Sequence, residues 1–132
     1  AKQLQKLEAT KTKNEVEKKQ TPIKLEITFD DFTQLDLRVG TIIEAEKVPK
    51  NKKLLCLKVD IGVEVRTIVS GIADAYSPEE VLGKKVTVLT NLSARKIRGV
   101  VSEGMLLMSE NEEGKVVILS PDEGAVNGME IR

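Results

Sequence analysis

What this chain lacks narrows its chemistry before any motif is considered. Its 132 residues hold no histidine and one cysteine, Cys56. Without an imidazole there is no Ser–His or Cys–His nucleophile pair. One thiol and no imidazole also cannot furnish the nitrogen and sulfur ligands of a structural or catalytic zinc site. A single cysteine forms no internal disulfide framework, and such sparing use fits a reducing, cytoplasmic compartment. No apolar run approaches the roughly 20 residues that a membrane-spanning helix needs. A glycine loop of the Walker type is missing too. The expectation is a chain that performs no catalysis and carries no cofactor or metal. Aromatics are also scarce, with two phenylalanines, one tyrosine and no tryptophan.

Net charge is absent as well, at 21 basic against 21 acidic residues, but the balance hides a pattern. Residues 1–23 carry six lysines against three glutamates, and the remainder 15 basic against 18 acidic residues. Within that remainder the cations gather at Lys47–Lys58 and Lys84–Arg98, while the stretch from Glu103 to Arg132 holds seven acids and two bases. A neutral chain with a segregated field can still offer a basic face to an anionic partner.

What is present reads as a tail followed by short strands. Residues 1–20 are rich in Lys, Gln and Glu, with Leu4 and Leu7 spaced for one helix face, so a solvated helix and a flexible connector both fit. Thr21–Pro22 ends any such helix. The chain starts at Ala1, which reads as a processed start or as a piece of a longer protein. Residues 27–35 read as a short lid, with Asp30 capping one turn and Phe29, Phe32 and Leu35 on one side. Both phenylalanines are assigned to the core.

Leu37 to Glu46 alternates, with Leu37, Val39, Thr41, Ile43 and Ala45 on one side and Gly40 marking a bulge or bend. A basic turn follows at residues 48–53, then alternating strands led by Leu55, Leu57, Val59 and Ile61 and by Val65, Thr67 and Val69. Ser77–Pro78–Glu79–Glu80 is a helix start, with Ser77 as cap, proline in the first turn and Glu80 completing a capping box; Gly83 stops it. Further strands are expected at Lys85–Leu92, Met105–Ser109 and Lys115–Leu119, and a last short one at Met129–Arg132. Short strands with turn signals about every ten residues suit a sandwich or a small barrel. One short helix between strands three and four of a five-stranded set favours the all-β, five-stranded OB barrel, here with a C-terminal strand extension.

The function is expected in residues 91–108. Arg95, Lys96 and Arg98 fall within four positions, Gly99 closes them, and Gly104 follows before the next apolar run. Cations on a loop held by rigid strands suit phosphates; charges kept for solubility would look the same.

Several blocks then occur in one order: Asp36–Gly40, Lys53–Leu54, Ile68–Ile72, Gly83–Val86, Asn91–Leu92, Arg95–Gly99, Val101–Ser102 and Gly104–Met105. Together they resemble the tRNA-binding domain found at the C-terminus of bacterial methionyl-tRNA synthetase. They are also similar to free-standing structure-specific tRNA-binding proteins and the endothelial-monocyte-activating cytokine family. The resemblance spans about residues 27–132. It makes residues 1–23 a lysine-rich linker from a catalytic body and residues 24–132 the binding domain with a dimerisation extension. It implies homodimerisation, and binding of tRNA at the elbow and outer corner by shape rather than by sequence. Position by position, it implies contacts from Lys52, Lys53, Arg66, Ser70, Asn91, Lys96, Arg98, Ser102 and Met105. A protein-interaction module whose lysines do little is the alternative.

The shortage of aromatics agrees with that reading. OB barrels that bind single strands stack bases on exposed rings, at about 1–3 kcal/mol each, and Tyr76 alone makes no such platform. Phosphate and shape contacts to folded RNA fit better. At individual positions the alternatives stay open. Arg38 is either a phosphate ligand or an ion-pair partner of Asp36. Ser102 either caps a turn or donates to a phosphate, Met105 is either an apolar wall or an RNA contact, and Asn91 either closes the strand corner or binds. Cys56 reads as a small packed group rather than a reactive thiol.

Overall fold

A computed structural model describes residues 21–132. The helix-or-connector expectation for residues 1–20 lies outside the described residues. The elements are α1 (Phe29–Phe32), β1 (Leu37–Lys47), β2 (Leu55–Asp60), β3 (Val65–Ser70), α2 (Pro78–Val81), β4 (Lys85–Leu89), β5 (Arg95–Ile97), β6 (Val100–Ser102), β7 (Met105–Leu106), β8 (Met108–Glu110), β9 (Val116–Ile118) and β10 (Glu130–Ile131).

The central sheet runs β3-β2-β1-β4-β7, all pairs antiparallel, with β10 added to the start of β1. The seam between β3 and the chain entering β7 is closed by single bonds instead of a ladder. Glu103 N donates to Thr67 O at 2.8 Å, Thr67 N to Glu103 Oε1 at 3.1 Å, and Val69 N to the Ser102 hydroxyl at 3.0 Å. Side chains thus satisfy amides that an open edge strand would leave exposed. The result is the five-stranded OB-type barrel expected from the sequence.

Its interior is apolar. Ile42, Leu55, Leu57, Val59, Ile61, Ile68, Val86, Val88 and Leu106 pack with Ile72, with Val81 of α2 and with Ile118 of β9. Each such side chain, once buried, contributes about 1.5–3 kcal/mol. The α2 turn forms as its local residues dictate. Ser77 Oγ accepts from Glu80 N at 3.2 Å, Glu80 Oε1 accepts from Ser77 N at 2.7 Å, Pro78 opens the turn and Gly83 follows at φ +81°.

Elsewhere the structure corrects the sequence reading. In β1 the core face belongs to Gly40 and Ile42, while Ile43 is exposed. A bulge between Ile42 and Glu44 flips the parity, so that Ala45 packs inward again. Leu37 and Val39 are buried on the other face, where the chain's end wraps over them: Gly128 N donates to Val39 O and Val39 N to Met129 O. The bend expected at Gly40 is instead a close approach, since a Cβ there would lie 2.7 Å from Val59 Cγ1.

The cap of α1 is Thr28, reciprocated by Asp31, rather than Asp30. Phe29 is 74% exposed and so does not belong to the core; Phe32 is half-buried, its ring 6.3 Å from that of Phe29. A single turn with no buried residue leaves Phe29 in solvent, its ring set against that of Phe32. The strand expected at Met105–Ser109 breaks at Leu107, β7 staying with β4 and β8 pairing with β9.

Candidate nucleic-acid interface

The stretch 91–108, read from sequence as a basic loop between two strands or as a solvated hairpin, contains a β-hairpin. Its pairs are Arg95–Ser102, Lys96–Val101 and Ile97–Val100, and Arg98–Gly99 form the two-residue turn. Both turn residues have positive φ, 51° and 84°, the requirement of a type I′ turn, whose twist matches that of the flanking strands. Strand alternation sets Lys96 beside Val101 on one face and Arg95 on the other, with Arg98 at the tip. All three cations are exposed, and none is paired with a carboxylate among the described residues. They therefore hold their charge toward solvent.

The hairpin stands over the outer surface of β2 and β3. A groove of about 510 Å³ lies between them, lined by Cys56, Lys58 and Thr67 on one side and Gly99–Val101 on the other, with Glu46 and Glu103 at its margins. Its lining is of mixed sign. Burial first, and Glu46 second, push the Cys56 thiol upward, so it stays neutral at pH 7. A second cavity, about 650 Å³, is lined by Lys47, Val48, Pro49, Lys50, Asn51, Lys52 and Ala73, where the β1–β2 loop meets the turn after β3. Lys52 and Lys53 are exposed on this loop, and Asn51 Oδ1 accepts from Lys53 N. The two basic loops flank β2 and β3, the loop positions through which OB barrels contact oligonucleotides. The 510 Å³ groove is lined by neither Lys52, Lys53, Lys96 nor Arg98.

The other expected site residues hold the framework. Asn91 Oδ1 accepts from Asp36 N at 3.0 Å, and its Nδ2 donates to Gln34 O at 2.7 Å. Ser102 is buried, bonded to Val69 N and to Gly104 O. Ser70 is also buried, its hydroxyl without a partner among the described residues. Met105 pairs with Leu89 and is 42% exposed. Arg66 is half-buried and paired with Glu64. Arg38 binds Asp36 through Nε at 2.9 Å. That bond, and then the Thr90 hydroxyl, hold the Asp36 carboxyl below the usual carboxylate range, and the same pairing raises Arg38. Tyr76 is partly buried, its hydroxyl accepting from Ile118 N and its ring 5.9 Å from Lys84 Nζ, so it offers no stacking surface. Phe29 is an exposed ring, but it belongs to the segment before the barrel. Arg95 on the hairpin, and Lys47 and Lys50 beside the β1–β2 loop cavity, lie next to the expected residues and inside the same basic clusters.

A five-stranded barrel with cationic loops at both ends of its β2–β3 face defines an oligonucleotide-binding module. Comparison with known proteins gives the kind. Residues 37–130 match the family described as "Putative tRNA binding domain", and the chain belongs to that family. It is 63% identical over 126 residues to a methionine–tRNA ligase of Christiangramia forsetii, covering 95% of this chain and 18% of that protein. The methionine–tRNA ligase of Bacteroides fragilis is 50% identical over 131 residues, covering 98% and 19%. This chain thus spans under a fifth of those relatives' length. Among solved structures, a protein related to methionyl-tRNA synthetase from Pyrococcus horikoshii superposes with a TM-score of 0.78 at 42% identity, over 83% of this chain and all of the other. The chaperone CsaA of Bacillus anthracis does so at 0.75 and 31% identity, over 82% of this chain and all of CsaA.

Proposed function

We infer that this chain is the tRNA-binding module of a methionine–tRNA ligase, joined to the catalytic body through its lysine-rich first residues. It performs no chemistry; it holds the outside of a folded tRNA and lengthens the stay of that tRNA on the enzyme. The observation that carries this reading is the hairpin at residues 95–102, which projects three cations, unpaired among the described residues, from a rigid barrel in a member of a tRNA-binding family. Lys96 and Arg98, with Lys52 and Lys53 on the neighbouring loop, are the proposed phosphate contacts, and Met105 is a flanking apolar surface. Because no exposed ring lies along the groove, recognition goes through phosphate position and the shape of the elbow, not through stacked bases.

The same reading includes a homodimer. Ile23, Leu25, Ile27 and Phe29 are 66–99% exposed, and Val126 and Met129 at the chain's end are also exposed. Two copies covering such residues would remove the liability of so much open apolar surface. They would also supply two basic hairpins to one or two tRNAs, raising affinity without new contacts.

Competition between intact tRNA and an unstructured RNA of equal length tests this function. Folded tRNA is expected to displace the linear strand, and equal binding of both would overturn the shape-reading claim. Failure of both to bind, with a stable dimer, would instead favour the protein-interaction reading.

A further inference from the structure

The hairpin's position depends on one side chain that lies outside it. The chain leaves the barrel wall after Thr90 and has rejoined it at Ser102, which bonds to Val69 N, so Thr90 and Glu103 flank the excursion as its two feet. Arg66, the second residue of β3, reaches both. Its Nη1 donates to Thr90 O at 2.8 Å and to Glu103 O at 2.9 Å, while its Nε is held by the Glu64 carboxylate. Each foot has a further tie of its own. Thr90 N donates to Asp36 O at 2.9 Å, and Glu103 is bonded to Thr67 through both its amide and its carboxylate. Among the described residues, Arg66 is the side chain that hydrogen-bonds to the two feet together.

We propose that Arg66 is a positioning residue, a clamp that shuts the base of the basic hairpin and thereby aims Arg95, Lys96 and Arg98, rather than a group that touches RNA itself. The proposal rests on the tRNA-binding reading for its consequence and on the geometry above for its mechanism. Two strands of three residues are marginal on their own in water. Their direction is therefore set where they leave the barrel. A guanidinium suits that place because its rigid fork holds fixed donor directions, which let Nη1 serve two carbonyls while Nε faces the carboxylate. An ammonium on a flexible stem matches the charge but not the fork.

With the clamp gone, the cations remain and the same phosphates are neutralised in the complex. What is added is the entropy of ordering a swinging hairpin. Affinity then falls while the dependence on salt stays as it was. A residue that contacted phosphate directly would behave differently, since its loss would reduce the slope of log K against log salt by about 0.7–0.9.

The experiment compares the unmodified chain with Arg66→Lys and Glu64→Gln. In free protein, amide exchange at Ile97 and Val100, the hydrogen-bonded pair beside the turn, is expected to quicken by about tenfold in Arg66→Lys, the scale of losing a hydrogen bond to a charged group. The amides of β2 should hold. Binding of tRNA should weaken by a similar factor with an unchanged salt slope. Glu64→Gln, which retains every cation, should also quicken hairpin exchange and weaken binding. The proposal is overturned if Arg66→Lys exchanges like the unmodified chain, or if Glu64→Gln binds tRNA as well or better because an acid has gone. The exchange result is read without RNA. It therefore tests the clamp even if no tRNA binds, an outcome that would sink the functional reading alone.

Discussion

Arg98 does two things that are separable. It sits at φ 51°, a left-handed conformation that costs a non-glycine residue about 1–2 kcal/mol, and it carries a cation at the hairpin tip. Asparagine tolerates that conformation better. Arg98→Asn is therefore expected to hold or raise the thermal midpoint while weakening tRNA binding; a lower midpoint would mean that the guanidinium serves the fold. Asp36 makes an opposite case, a charged group used internally. Its folded pKa is depressed by Arg38 and then by Thr90. Its stabilisation is therefore complete above the ordinary aspartate range near pH 4 and is lost as pH falls through the lower folded value. Asp36→Asn should be less stable than the unmodified chain at pH 7, and the gap between their melting temperatures should close on acidification below about pH 4. A gap that persists there would place the effect in the hydrogen bonds alone. These cases show where residue type is a poor guide. Asn91, Ser102 and Ser70 look in the sequence like ligands for phosphate, but their surroundings come from residues 34–36 and from the seam between β3 and Glu103, partners distant in the chain.

At the scale of elements, local chemistry was legible and long-range parity was not. The α2 turn could be read because Ser77, Pro78 and Glu80 cap it with their own side chains. The bounds of the hairpin at residues 95–102 were not legible because its I′ turn is carried by Arg–Gly in place of the usual Asn–Gly. In β1 the alternation misled for two reasons. The C-terminal extension covers its outer face, making Leu37 and Val39 as buried as Ile42, and the bulge near Ile43 inverts the pattern beyond it. At Gly40 the Val59 side chain of β2 lies close against the backbone of β1. Gly40→Ala sets a methyl against Val59 and within 3.3 Å of Asp60 O. It should cost about 1–3 kcal/mol, as overpacking does, and lower the denaturation midpoint by chemical titration. An unchanged midpoint would show that the β1–β2 crossing can open without penalty.

For the whole molecule, zero net charge conceals a division of labour. Cations crowd the loops flanking β2 and β3, while the stretch from Glu103 to Arg132 carries seven acids against two bases. The proposed self-association would use the other uncovered surface, the exposed apolar residues before the barrel and at residues 126–129. Leu25→Asp with Phe29→Asp should shift sedimentation to a monomer and leave the barrel's melting temperature within a few degrees; a dimer that survives would place the interface elsewhere. The central claim is that the exposed cations of the hairpin meet phosphates. The most direct measurement is the slope of log affinity for tRNA against log salt, in the unmodified chain and in Lys96→Ala with Arg98→Ala. Binding should be steeply salt-dependent, and the double variant should flatten the slope by about 1–2 units with its thermal midpoint kept. No binding at low salt, or a slope the double variant leaves untouched, would contradict the account.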